Sequence, residues 1–496
     1  MQLAFKGVLA WLVVGAAIAA PPAVAQQRSV LTYHGDQSRT GNFVVPALTF
    51  DKARSVHSDR AFAAHVDGHL YAQPLYWRAA GSNTAMVVTA SESDVVQAFD
   101  AQSGRQLWRR SVGRPVSGSS LPCGNINPLG ITGTPVIDPS AQAIYFDAAV
   151  EETNGPHHEV FALSLKDGSV LKGWPVDVAE ALQKAGRHFD ARTQNQRTAL
   201  SLLDGRIYMG FGGHFGDCGD YHGWVLGFSK QNPGNVATFE SRARGGAVWA
   251  PGGLSVVGNT IFFSTGNTFG ARTWSDGEAV FRVSPDLRRS DNKHDFFAPS
   301  DWRALDARDL DLGGSNPVPV NVSGPGRDHA LMVALGKDHK AYLLDRDDLG
   351  GIGGQLDVLT ASTGSIRTAP AVYPAGDDAM VAFQGPGEHC PSGSRGNGLT
   401  VLKITGGAKP AMSTAWCAEL DGRGSAIVTT TDGHSNPIVW ILGAEGDNRL
   451  HAFRGDTGAQ IFQSEPLRGL RHFQTLIATA DRLYVGADGQ VYAFDY

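Results

Sequence analysis

Four residues near the middle of the chain carry side chains that would do chemistry if the fold brought them together. Trp249 in AVWAPGG offers an aromatic plane, and Asn267 in FFSTGNTFG an amide oxygen. Asp311 in DLDLGGSNPVPV offers a carboxylate, and Lys337 in ALGKDHKAYLLDR an ammonium. Together they would hold a planar anionic ligand and a hard cation. Each also has a plainer use. Tryptophans on inner strands fill cores, and surface lysines are common. Asparagine forms tight turns, and the nearby Asp306 and Asp309 read equally well as loop carboxylates or helix caps. What decides between these uses is the set of elements that positions the four.

Those elements are strands, and they repeat. AMVVTASESDVVQAFDAQSG is a β-rich run, a polar loop and a second β-rich run ending in a turn. Comparable pairs recur down the chain, among them AIYFDAAV with EVFALSLKDG, TIFFSTGN with AVFRVSP, and RLYVGAD with QVYAFDY. Eight such pairs can be counted. Each follows a short strand such as GTPVID or APAVYP, and most precede a fourth such as QLWRRSV. β-branched and aromatic enrichment punctuated by Gly, Asp and Asn is a strand signal. Four antiparallel strands per unit, repeated this often, indicate an all-β propeller. Eight blades is the expectation, with seven as the fallback. The last unit lacks a fourth strand, and RAFAAHV around residues 60 to 66 is expected to supply it and seal the ring.

In up-and-down blades lettered A to D from the axis outward, the B–C loops and D–A connections share one face. Trp249 and Asn267 then belong to the fourth blade, and Asp311 and Lys337 to the entry and loop of the fifth. All four fall on that face, toward the axis. Arg197 and Arg367 enter the inner strands of the third and sixth blades. They either add positive potential for an anionic ligand or brace neighbouring blades. Cys123, Cys218, Cys390 and Cys417 also fall on this face, in two neighbouring pairs, so Cys123–Cys218 and Cys390–Cys417 are the expected disulfides.

The remaining composition narrows the classes. Residues 1–25 combine Lys6, the apolar run GVLAWLVVGAAIAA and Ala23-Val24-Ala25, the pattern of a cleaved secretory signal. The expectation is an exported, periplasmic or secreted protein with one propeller domain over 26–496. No later apolar run is long enough to span a membrane. A formal charge of −6 without a long basic run argues against nucleic acid as a partner. There is no C-x-x-C-H, so no attached haem is indicated. His214, Cys218 and His222 stand four apart in a glycine-rich loop, a spacing that suits zinc only on a helix.

AFDAQSGRQLW (98–108) and the weaker AFRGDTGAQIF (452–462) match the turn motif A-x-D-x-x-[ST]-G-x-x-x-W. On these motifs the chain resembles the pyrroloquinoline-quinone alcohol dehydrogenase-like superfamily over nearly all of its mature length. The resemblance implies that Trp249 stacks on the quinone, Asn267 ligates calcium, Asp311 is the base and a calcium ligand, and Lys337 bonds the quinone oxygens. Arg197 and Arg367, by their place at the inner strands and their positive potential, are added as candidate contacts to the cofactor. Two family features are missing. No adjacent Cys-Cys pair occurs, and the loop GGHFGDCGDYHGW has no calcium-ligating glutamate, leaving Asp217 or Asp220 as substitutes. The sequence therefore favours a noncatalytic propeller that binds a small molecule at its mouth or assembles with a protein. The alternative is a dehydrogenase that uses pyrroloquinoline quinone and calcium to oxidise an alcohol or sugar.

Overall fold

The computed structural model describes residues 29–82, 84–391 and 397–496; the expected signal segment lies outside them. Eight sheets are arranged in a ring, one for each strand pair counted in the sequence. Their inner strands are Leu75–Arg78, Val136–Asp138, Ser201–Leu203, Ser255–Val257, Val318–Gly324, Ala371–Ala375, Ile427–Thr430 and Leu476–Ala478. The last blade is completed as expected. His57–Ser58 and Ala64–His65 pair antiparallel with the final strand Gln490–Asp495, in the register His57 to Asp495 and His65 to Gln490. The segment comes from the chain's beginning, so the ring is fastened by both ends of the protein.

The turn motif shows its mechanics at the blade junctions. Asp100 Oδ1 accepts from the amides of Gln102 and Ser103 and from the Ser103 hydroxyl, which closes the turn. Gly104 adopts φ +74° and presses on the closing segment, where a Cβ would lie 2.6 Å from Ala63 N. Trp108 reaches the next blade and donates to Leu165 O at 3.0 Å. Its ring lies so close to Gly168 that a Cβ there would come within 2.7 Å. Trp416 repeats the arrangement against Gly455 and Gly458 of the seventh blade. These two junctions are each an aromatic seated on a glycine that has no room for a side chain.

The feature the sequence concealed is the segment 29–45. It runs through the central channel and hydrogen-bonds to the blades around it. Val30 bridges Tyr76 of the first blade, and Leu31 O accepts from Ile137 N of the second. Gln37 O accepts from Val256 N of the fourth, and Thr40 O from Val372 N of the sixth. Asn42–Val44 then pair parallel with the inner strand of the seventh. Arg39 is fully buried in this plug. It donates to the carbonyls of Leu254 (3.1 Å) and Leu200 (2.7 Å) and to the Ser201 hydroxyl (2.7 Å). Burial without a carboxylate contact pushes its pKa down to about 10.

His34 sits at the apex of the plug with φ 57°, stacked on Tyr33 at 4.3 Å and fully buried. Burial pushes its pKa down to about 3. In the unfolded chain its pKa returns to about 6.5, so at lower pH the unfolded state binds a proton that the native state refuses. The stability this neutral ring contributes is complete above that value and lost as pH falls toward 3. Wild-type urea-unfolding midpoints should therefore fall on acidification. His34→Asn, which tolerates the left-handed backbone, should remove about 1.4 kcal/mol per pH unit from the slope below about pH 6.5. An unchanged slope in the variant would show that the plug is not packed around a neutral His34.

Candidate active site

The four residues nominated from the sequence meet on one wall of a cavity of about 750 Å³ at the mouth of the channel. Asp311 is their hub. Its Oδ2 accepts from Trp249 Nε1 at 3.1 Å and from Lys337 Nζ at 2.7 Å, and its Oδ1 accepts from the Asn267 amide N–H at 3.0 Å. Lys337 also pairs with Asp309 at 2.9 Å and lies 5.3 Å from the centre of the Trp249 ring. Trp249 stands in the connection ahead of Ser255–Val257 and not on the inner strand itself, because Pro251, Gly252 and Gly253 intervene. The indole is half-buried, and Gly314 packs on its benzo ring, where a Cβ would come within 3.4 Å.

Local structure explains the convergence. The chain entering the fifth blade forms a short helix, Trp302–Asp306, and a 3-10 turn, Leu312–Gly314. Asp306 at the helix end accepts from the backbone and hydroxyl of Thr268 (2.8 and 2.7 Å), and Asp311 takes the amide of Asn267 next door. Two carboxylates of one connection thus bind two successive amides of the fourth blade's B–C loop. The Asn267 backbone therefore does the fastening. Its side-chain amide makes no hydrogen bond among the described residues and lines the cavity. From below, Glu278 accepts from Leu312 N at 2.6 Å. Burial, and then the charge on Asp311, pushes Glu278 well above the usual carboxylate range. No sequence signal marked Glu278, a lone acid in a polar loop.

Burial opposes the Lys337 charge, but the Asp311 carboxylate outweighs it and holds the lysine above its ordinary range. Asp217 also lines the cavity; burial raises it, against the hydrogen bond from Tyr221 at 2.6 Å. Its loop is anchored by the disulfide Cys123–Cys218, with a Cα separation of 6.1 Å. Cys390–Cys417 forms the second bridge, at 5.7 Å. With Cys218 oxidised and His222 bonded to Ser241 O, the zinc spacing comes to nothing.

Arg197 and Arg367 line the same cavity, joined by Arg423 and His472, which the sequence reading missed. Their usable signal was register. Arg197, Arg367, Arg423 and His472 each stand four residues ahead of their blade's inner strand. Arg197 lies 4.8 Å from the Phe473 ring and 5.6 Å from Tyr71, on the side of the channel away from Trp249.

No protein-family model and no curated protein sequence matches the chain. Among solved structures it is similar to quinohemoprotein alcohol dehydrogenase from Comamonas testosteroni, with a TM-score of 0.64 and 12% identity over 94% of this chain and 80% of that one. It is also similar to the quinohemoprotein alcohol dehydrogenase ADHIIG from Pseudomonas putida HK5 (TM-score 0.63, 12% identity, 94% and 80%). A europium-containing methanol dehydrogenase gives 0.62, with 13% identity over 93% and 90%. The chain therefore has the fold of the quinoprotein alcohol and methanol dehydrogenase propellers.

Asp311 is almost fully buried, so Lys337→Met would strand its charge. The variant should be about 2–4 kcal/mol less stable at neutral pH. Adding Asp311→Asn should recover part of the loss in a urea-unfolding double-mutant cycle. Additive effects would mean that the two groups do not interact in solution.

Proposed function

We propose that the protein is an exported oxidoreductase that binds an o-quinone such as pyrroloquinoline quinone against Trp249 and oxidises a hydroxyl group beside Asp311. One observation carries this reading: indole, carboxylate and ammonium stand in hydrogen-bonding contact on one cavity wall, beside a free amide. A relic mouth would have no reason to keep that convergence, so the noncatalytic reading has less support. The fold shared with quinohemoprotein alcohol dehydrogenases agrees with it, as an analogy of architecture.

The donor set fits a planar anionic quinone. Trp249 gives a half-buried platform, and Lys337 beside it faces the cavity as a cation. Calcium does not fit as well. It takes six to eight oxygens, whereas Asp311 already receives three N–H donors and Lys337 supplies the neutralising charge. Among the described residues no three His, Cys, Asp or Glu side chains are grouped to hold a metal. We derive no step through calcium.

When bound, the quinone supplies the acceptor for two electrons and a proton from the carbinol carbon. The chain supplies the rest. Lys337 and Trp249 both bond Asp311 Oδ2, which leaves the less engaged Oδ1 to take the hydroxyl proton. Lys337, held charged, would offer its ammonium to stabilise negative charge developing on a group bound at this wall. The Asn267 amide orients the hydroxyl or a quinone oxygen.

Titration with pyrroloquinoline quinone should quench tryptophan fluorescence and then support dye-linked oxidation of hydroxyl substrates. Asp311→Asn should bind the quinone within a few fold of wild type but lower the rate about 100- to 10,000-fold. Absence of quinone binding to the wild-type protein would remove the reading.

A further inference from the structure

The cavity has two poles, and the proposed reaction uses only one. The Trp249 pole neutralises itself, because Lys337 lies between Asp309 and Asp311. The other pole does not. Arg367 and Arg423 are exposed to the cavity and make no ion pair or side-chain hydrogen bond among the described residues. Arg197 is half-buried and lies against the rings of Phe473 and Tyr71, and among the described residues its N–H groups are given to no acceptor. Other buried or half-buried arginines here have acceptors. Arg289 has Asp276, Arg471 has Asp488, and Arg482 has Asp59 and Asp495. Two acids face this pole: Glu445 is taken by His472 Nδ1 at 2.7 Å, and the buried Glu92 acts on Arg197 by charge without an ion pair.

The arrangement follows the ring. The position four residues ahead of the inner strand is arginine in blades three, six and seven and histidine in blade eight. In blades four and five, which carry Trp249 and Asp311, the same position holds Pro251 and Gly314. Phe473 enters the eighth blade, directly across an eight-membered ring from the fourth. The guanidinium and imidazole groups at this register thus come from the blades outside the pair that carries Trp249 and Asp311. A guanidinium presents paired donors that match an oxyanion, and three of them around one concave space raise the local concentration of anions.

We propose that Arg197, Arg367 and Arg423 form a subsite for an oxyanionic group of the substrate, so that the hydroxyl compound oxidised at Asp311 is an organic acid, such as a hydroxy acid or sugar acid, and not a neutral alcohol. The identification as substrate rests on the oxidoreductase reading; the anion subsite does not. Both arms of Arg→Gln variants at exposed positions 367 and 423 should fold normally, with unfolding midpoints unchanged.

The test measures calorimetric binding of gluconate, citrate and glucose to the protein without quinone, and separately the binding of pyrroloquinoline quinone. Gluconate and citrate should bind more tightly than glucose, less so as salt is raised. The double variant Arg367→Gln with Arg423→Gln should weaken the acids about tenfold or more and leave the quinone within a few fold. Anion binding without quinone binding would uphold the subsite and sink the oxidoreductase reading. Equal binding of glucose and gluconate would overturn the proposal. So would a variant that loses quinone as strongly as gluconate, because the arginines would then serve the cofactor's own carboxylates.

Discussion

A ring of eight sheets leaves a hole along its axis, and every inner strand turns a free edge toward it. Unpaired edges are a liability in any sheet protein, and here eight of them line one channel. Residues 29–45 resolve this by passing through the hole and lending their carbonyls to Ile137, Val256, Val372 and Val428. The mouth depends on that filler. Ala199 and Ala369 pack on Tyr33 of the plug, and they follow Arg197 and Arg367 by two residues in the same segments. The segments that carry two of the cavity's arginines therefore rest on the plug.

The parts of the fold that could be read from the sequence are those written locally. Strand pairs such as AIYFDAAV with EVFALSLKDG announce themselves by composition and turns, and they give the blade count directly. The closing segment followed from counting, since the last unit ended one strand short. The cysteine pairs followed from topology alone. The plug could not be read this way. YHGDQSRTGNF has no periodicity, and its partners lie as much as about 390 positions away (Asn42 against Val428). Arg39 looks like any polar loop residue, although it is among the most buried groups in the protein.

The site was legible in a similar, partial way. Topology placed Trp249, Asn267, Asp311 and Lys337 on one rim, and the structure joins them through Asp311. What pattern could not supply was the direction of each bond. Asn267 fastens through its backbone, so its side chain stays free, and Asp306 performs the same fastening one residue on. Glu278 beneath them has no marker beyond its burial. Arg423 and His472 were within reach, because they repeat the register of Arg197 and Arg367, but register is visible only after the inner strands are fixed.

That register also explains how opposite charges share one cavity without collapsing onto each other. Lys337 and Arg423 cannot both neutralise Asp311, and the lysine reaches it first because it rises from the adjoining loop of the same blade. Among the described residues no arginine of the cavity pairs with Asp311, whose Oδ2 is taken by Lys337 and Trp249. Left exposed to water in the cavity, they carry little desolvation cost, whereas a buried unpaired guanidinium would carry several kcal/mol. Arg197, the most enclosed of them, takes aromatic faces in place of a carboxylate, an arrangement worth about 1–2 kcal/mol that leaves its N–H edge free. A propeller that only needed its blades braced would be better served by ion pairs such as Arg242 with Asp276. Keeping three cations unpaired in one concave wall makes physical sense when the missing charge arrives with the ligand.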